Sequence, residues 1–372
     1  MSTTDHGRFG KPPPADPRAD TSLLRLMAIV LIVNSHLESF YPRAWMAGGG
    51  LIGNMLFFAV SGFSLAVADM ARPRPFGIWY LRRLTRIYPA VVLVTAVDLC
   101  LRGHYPTDLR DLVSLFLWPT SYTFVALIVP FYAVYYWVMR LRSRRAYLLG
   151  LLALLPAFGG VYIWYLRGGW YASHFGMPVL AWATWVFGFQ VMLLGGWLAL
   201  RRDEENVRPW IDLAAVVAAF AVCVAAKYLD RVLHRATWFS GAEFFGAAAL
   251  FYFALRMSWS PAVLGLRRTA VWAPVALISS LTFEIYLVHE FYIRAAMADL
   301  GLPWNVLGLM VLSVATALPL FWLLSRIERR LGQPRRRQPR PELPAIETAV
   351  DAPAGRRKVE PAMTPPDTVL PR

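Results

Sequence analysis

Cysteine is nearly absent from this chain. Only Cys100 and Cys223 occur among its 372 residues, far apart and each inside an apolar stretch. That excludes a disulfide framework and any cysteine spacing for a metal, and it leaves the redox compartment unreadable. No metal is expected. Charge is scarce too: 16% of residues are Asp, Glu, Lys or Arg, against about a quarter in a soluble domain. Apolar residues take their place, at 57% of the chain, with 15 Trp and 22 Phe. Such rings gather at the two interfaces of a bilayer. Runs of ~20 apolar residues recur too often for two or three soluble domains, so the fold expected is an all-α, polytopic membrane bundle.

The net charge of +15 does not point to nucleic acid, because the arginines sit between apolar runs and in the tail. There they mark topology and meet lipid headgroups. Ten spans are expected, at 23–41, 51–70, 88–101, 112–139, 147–166, 179–200, 210–229, 239–257, 272–293 and 306–325. The third is short, and the fourth is long enough to tilt or to break near Pro119 or Pro130. Arginine collects in alternate connections: Arg72, Arg74, Arg82, Arg83 and Arg86, then Arg140 to Arg145, Arg201 to Arg208, and Arg267 with Arg268. The positive-inside rule makes these connections cytoplasmic, and an even span count puts both termini there. Residues 1–22 are polar with four prolines, and 326–372 are rich in Arg and Pro; both read as disordered cytoplasmic tails around a membrane domain at 23–325. The first run is longer than a signal-peptide core and no small-residue cleavage site follows closely. No inverted repeat of the transporter type is visible.

Polar groups inside apolar runs need a partner or a function. Arg25 and His36 are eleven residues apart, close to three helical turns, so they share a face about 16 Å apart along the axis. Histidine suits a general base acting on a hydroxyl; packing between helices is the alternative role. Glu38 points elsewhere on a straight helix. Ser61 and Gly62, within Phe57-Phe58-Ala59-Val60-Ser61-Gly62-Phe63, admit either a neighbouring helix or a ligand close to the backbone. Arg83 and Arg86 share one face at the start of a span, where they act as a phosphate clamp or as ordinary topology anchors. In the ninth run Ser280 and Glu284 fall four apart on one face, with Tyr286 and His289 beyond them. Glu284 reads as a site residue or an interhelical hydrogen-bond hub, and His289 as a group near the outer surface.

In this order, these pieces resemble the acyltransferase-3 family of integral membrane acyltransferases. The resemblance is carried by the Arg25–His36 spacing, the Phe57–Phe63 run, Arg83-x-x-Arg86 ahead of Tyr88-Pro89, and Ser280 followed by Ile285-Tyr286-Leu287-Val288-His289. It implies a ten-helix domain that takes an acyl group, often acetyl, from cytoplasmic acyl-CoA. The acceptor implied is a hydroxyl of a glycan or lipid-linked sugar bound for the cell surface, at a bacterial inner membrane. By the resemblance His36 is the essential histidine, Arg25 its partner, and Arg83 and Arg86, with Arg82 beside them, the CoA-phosphate group. Ser61, Gly62, Ser280, Glu284, Tyr286 and His289 are candidate site-lining residues. Acyl-CoA would be a co-substrate, with no tightly bound cofactor. One departure stands out: the fourth run lacks the family's Trp-x-x-x-x-Glu element, so a second catalytic carboxylate is unassigned, with Glu284 and Glu38 as candidates. A secondary transporter or flippase with a His/Glu proton relay is the competing reading.

Overall fold

The computed structural model describes residues 20–43, 46–103, 106–117, 122–166, 179–204, 206–232, 240–294 and 297–332. Among them there is no strand. The helices are α1 (Ser22–Ser35), α2 (Gly50–Ala71), α3 (Phe76–Arg102), α4 (Leu109–Leu112), α5 (Thr123–Arg140), α6 (Arg144–Leu166) and α7 (Val179–Arg201). They continue as α8 (Pro209–Val232), α9 (Ser240–Ser258), α10 (Pro261–Leu266), α11 (Trp272–Ser280), α12 (Thr282–Arg294) and α13 (Trp304–Gly332).

The molecule is an integral membrane helical bundle. Seven of these helices are long and apolar enough to cross a bilayer, and α11 with α12 forms a pair bent by 76° that is long and apolar enough only when taken together, as a broken span or a re-entrant loop. The α1 helix has 14 residues, a rise of ~21 Å against a hydrocarbon core of ~30 Å. All ten expected runs are helical, but α1 and α9 fall outside the set of full-length spans. Three boundaries differ from expectation, the first being the end of α1 at Ser35. The third helix begins at Phe76, because Pro75 supplies an extended N-cap (φ −57°, ψ 149°) and the basic segment then winds directly onto the apolar run. The fourth run is broken, one of the two outcomes expected: α4 and a five-residue π turn (Val113–Leu117) precede α5, Pro130 stays inside α5, and Pro119 lies outside the described residues. The last helix continues to Gly332, seven residues past the expected end of the membrane domain. The expected tails otherwise lie outside the described residues.

The core is built around α2, which packs most extensively on α7 and also meets α1, α5 and α9. Small residues make that approach possible. A Cβ on Gly62 would sit 1.9 Å from the Met192 carbonyl oxygen, and one on Gly195 would sit 2.0 Å from that of Ala59. The two backbones are in contact, which dispersion packing between membrane helices rewards.

Ion pairs tie helix ends together. Asp69, at the end of α2, lies 3.7 Å from Arg140 at the end of α5. Asp212, at the start of α8, lies 3.1 Å from Arg256 at the end of α9. Asp20, before α1, lies 3.5 Å from Arg267 after α10. The arginine-rich connections thus converge at one end of the bundle. Asp69 and Asp212 are buried; Asp69 keeps a second partner in Arg142 at 3.9 Å, whereas removing Arg256 would leave the Asp212 charge without its arginine, a loss of about 3–5 kcal/mol.

Candidate active site

A cavity of about 180 Å³ opens among α1, α2, α3, α5 and α12 near the arginine-rich end. Three cations point into it: Arg25 from α1, and Arg83 and Arg86 from α3. Among the described residues no carboxylate lines it; the remaining polar contributors are Ser61, Ser64, Tyr132, Thr282 and Tyr286. The Arg25 guanidinium donates to Ser64 Oγ at 3.4 Å. Arg83 lies over the Trp79 ring at 5.5 Å, and its Nε has no hydrogen-bond partner among the described residues. The Tyr132 hydroxyl sits beside Ser61 and within electrostatic reach of all three guanidiniums. Like charges gathered in a partly apolar cavity repel one another, and such an arrangement can receive an anion.

Helix periodicity explains which arginines converge. Arg83 and Arg86 are three apart on α3 and share a face, whereas Arg82 turns out to the exposed side and does not line the cavity.

His36 stands apart. The α1 helix ends at Ser35, and His36 leaves it with φ −95° and ψ 0°. The single straight helix expected from Arg25 to His36 is thus cut one residue short. The stop is held from a distance: the Asn34 amide donates to the Met46 and Gly48 carbonyls at 3.0 and 2.9 Å, and Tyr41 Oη donates to Asn34 Oδ1 at 2.7 Å. His36 is exposed and does not line the arginine cavity. Its ring instead faces His289, with centroids 5.1 Å apart and planes at 67°. His289 is 1% exposed. Nearest nitrogen or oxygen atoms of His36, His289 and Glu290 all lie within 4.8 Å of one another.

Tyr286 belongs to both places. It lines the arginine cavity, and its ring centroid lies 6.1 Å from that of His289. Its hydroxyl accepts from the Phe124 amide at 3.3 Å, and Phe124 in turn packs on Phe57 at 5.5 Å. These three rings form the wall at the histidine end of the cavity.

The other expected lining residues fall elsewhere, apart from Ser61. Gly62 faces α7 and serves helix packing. Ser280 is exposed, with its hydroxyl returned to the Leu277 carbonyl at 2.7 Å. The bend at Leu281 breaks the shared face expected for Ser280 and Glu284. Glu284 is buried but outside the cavity. Glu38 lies exposed in a one-turn 3-10 helix (Glu38–Phe40). Sequence reading did not single out Tyr132, Ser64, Thr282 or Glu290. Only Glu290 carried a signal, as a second titratable group next to His289 in an apolar run.

A family model described as an acyltransferase domain, that of the acyltransferase-3 family, matches residues 19–326. The chain belongs to this family. It is an acyltransferase acting on acceptors other than amino-acyl groups, embedded in a membrane. Neither the curated proteins nor the solved structures yielded a match. The matched segment contains the arginine cavity, both histidines and all of the ion-paired helix ends. With the family shown, the transporter reading gives way to the enzyme.

Proposed function

We propose that this acyltransferase takes an acyl group, acetyl being the expected one, from acyl-CoA at the cytoplasmic face of a bacterial inner membrane. It delivers the group to a hydroxyl of a glycan or lipid-linked saccharide destined for the cell surface. The observation that carries the donor assignment is the arginine cavity: three guanidiniums, no carboxylate among the described residues, at the end of the bundle where arginine collects. CoA presents phosphates, and planar guanidinium donors match phosphate oxygens. By the positive-inside rule that end is cytoplasmic, where CoA is found.

His36 is the base in this reading. Arg25 lies in the first turn of α1 and His36 directly follows its last residue, a rise of about 16 Å, so phosphates held at the arginines leave a long pantetheine arm to run past Tyr286 toward the histidines. The neutral imidazole takes the proton of the acceptor hydroxyl as its oxygen attacks the thioester carbonyl. The tetrahedral adduct collapses, the carbon–sulfur bond breaks, and the CoA thiolate recovers the proton from the imidazolium. The exposed position of His36 leaves room for a large acceptor, and no covalent enzyme intermediate is required.

Mass spectrometry of surface glycans and lipid-linked saccharides from cells with and without the chain tests this. A loss of acyl mass increments on deletion, restored by the wild-type chain and not by His36→Gln, supports the reading. Unchanged acylation of every saccharide fraction refutes the acceptor class.

A further inference from the structure

The proposed reaction assigns His36 and leaves the buried histidine beneath it without a role. His289 Nδ1 lies 2.8 Å from the Tyr286 carbonyl oxygen and 3.2 Å from that of Ile285. A carbonyl oxygen only accepts, so Nδ1 carries the hydrogen and Nε2 keeps a lone pair. That Nε2 is buried and has no hydrogen-bond partner among the described residues. An orphaned acceptor so deeply buried is destabilising unless something uses it. The ring set against it is that of His36.

We propose that His289 is the positioning residue for His36. Its Nε2 accepts a hydrogen bond from one ring N–H of His36, which leaves the opposite His36 nitrogen with its lone pair toward the acceptor hydroxyl. The role rests on His36 being the base. Backbone geometry fixes the donor–acceptor sense of His289, and His289 in turn fixes the tautomer of His36. When His36 takes the acceptor's proton, the imidazolium keeps its hydrogen bond to His289, and the Glu290 carboxylate in the same triangle faces the new positive charge. The exposed His36 ring turns inward to close the bond; such contacts are commonly long before substrate arrives.

Two histidines and a glutamate are also a ligand set for a divalent metal. A metal-bound His36 would lose the lone pair that the reaction needs, and the positioning role is favoured on that ground.

The test uses the full-length chain in membrane vesicles from producing cells, which carry their own acceptors, with radiolabelled acetyl-CoA as the probe. His289→Phe keeps the ring and removes the acceptor. It should lower the maximal rate per folded protein by about 10- to 100-fold, part of the ~10²–10⁴-fold a general base supplies. KM for acetyl-CoA should stay unchanged, because the arginine cavity is separate. His289→Asn retains a donor for the Tyr286 carbonyl but cannot reach the Nε2 position, so it should fail likewise and covers the case in which the Phe variant does not accumulate. His289→Gln places an oxygen acceptor near that position and should restore most of the rate. Label transfer that survives in both His289→Phe and His289→Asn, while His36→Gln is inactive, overturns the positioning role alone. No transfer by the wild type, or full transfer by His36→Gln, overturns the reading beneath it. A stoichiometric divalent metal in purified wild-type chain, lost from His289→Phe, replaces the positioning role with a metal site.

Discussion

Replacing Arg83 with alanine separates the donor site from the scaffold, because the two predict opposite balances of affinity and stability. Arg83 is held by a cation–π contact to Trp79 at 5.5 Å, and its Nε has no acceptor among the described residues. Truncation therefore costs the fold about 0.5–2 kcal/mol of cation–π attraction. Against that stands relief of repulsion from Arg25 and Arg86, which share the cavity with no carboxylate among the described residues. The two effects nearly cancel, so the thermal midpoint of the ligand-free protein should stay close to wild type. Binding is different. A charge-assisted hydrogen bond to a phosphate contributes about 1.5–3 kcal/mol, which at ~1.4 kcal/mol per tenfold is a loss of about 10- to 150-fold in CoA affinity. Arg86→Ala should behave similarly, the double variant should lose more than either, and lysine should rescue only in part because it offers a point charge in place of a fork. The assay is calorimetric or fluorescence titration of detergent-purified chain with CoA, beside thermal unfolding of the same samples. Unaltered CoA affinity in the double variant would reduce the pair to topology anchors. A thermal midpoint that falls in step with affinity would mark them as structural.

Other outcomes follow from the same geometry. His36→Gln keeps a hydrogen-bonding side chain but accepts no proton at neutral pH, so acyl transfer should drop by ~10²–10⁴-fold with normal protein level; a well-expressed, fully active variant would remove His36 from the mechanism. Single cysteines near Pro75, Ser143 and Asn206 should resist an impermeant thiol reagent applied outside the cell, while ones near Asp108 and Asp299 should label; the reverse pattern would move the arginine cavity away from cytoplasmic CoA. Gly62→Ala should lower the thermal midpoint, since its Cβ would meet the Met192 carbonyl at 1.9 Å and overpacking costs about 1–3 kcal/mol. Activity per folded molecule should remain near wild type. Lost activity in stably folded Gly62→Ala would return that residue to the site.

The bundle was legible in the sequence because hydropathy is written along one chain and needs no knowledge of neighbours. The site was legible only where one helix carried it. Arg83 and Arg86 are three apart on α3, and their shared face follows from the helical period alone. That Arg25 joins them depends on how α1 and α3 lie around the cavity, and Tyr132 arrives from α5 with no sequence signal at all. The end of α1 was hidden for another reason. Apolar residues continue through Phe40 and Tyr41, whereas the helix stops at Ser35 under the grip of Asn34 on the Met46 and Gly48 carbonyls, contacts more than ten residues away in sequence. The same limit spoiled the pairing of Ser280 with Glu284, since periodicity presumes a straight helix and Leu281 marks a bend with neither glycine nor proline to announce it. Ser61 and Gly62 make the point most sharply. Both are small residues in one turn of α2, and the sequence taken alone favours packing over ligand contact for both. Ser61 borders the cavity while Gly62 meets the α7 backbone. What separates them is only which helix lies opposite, and that is a property of the assembled bundle.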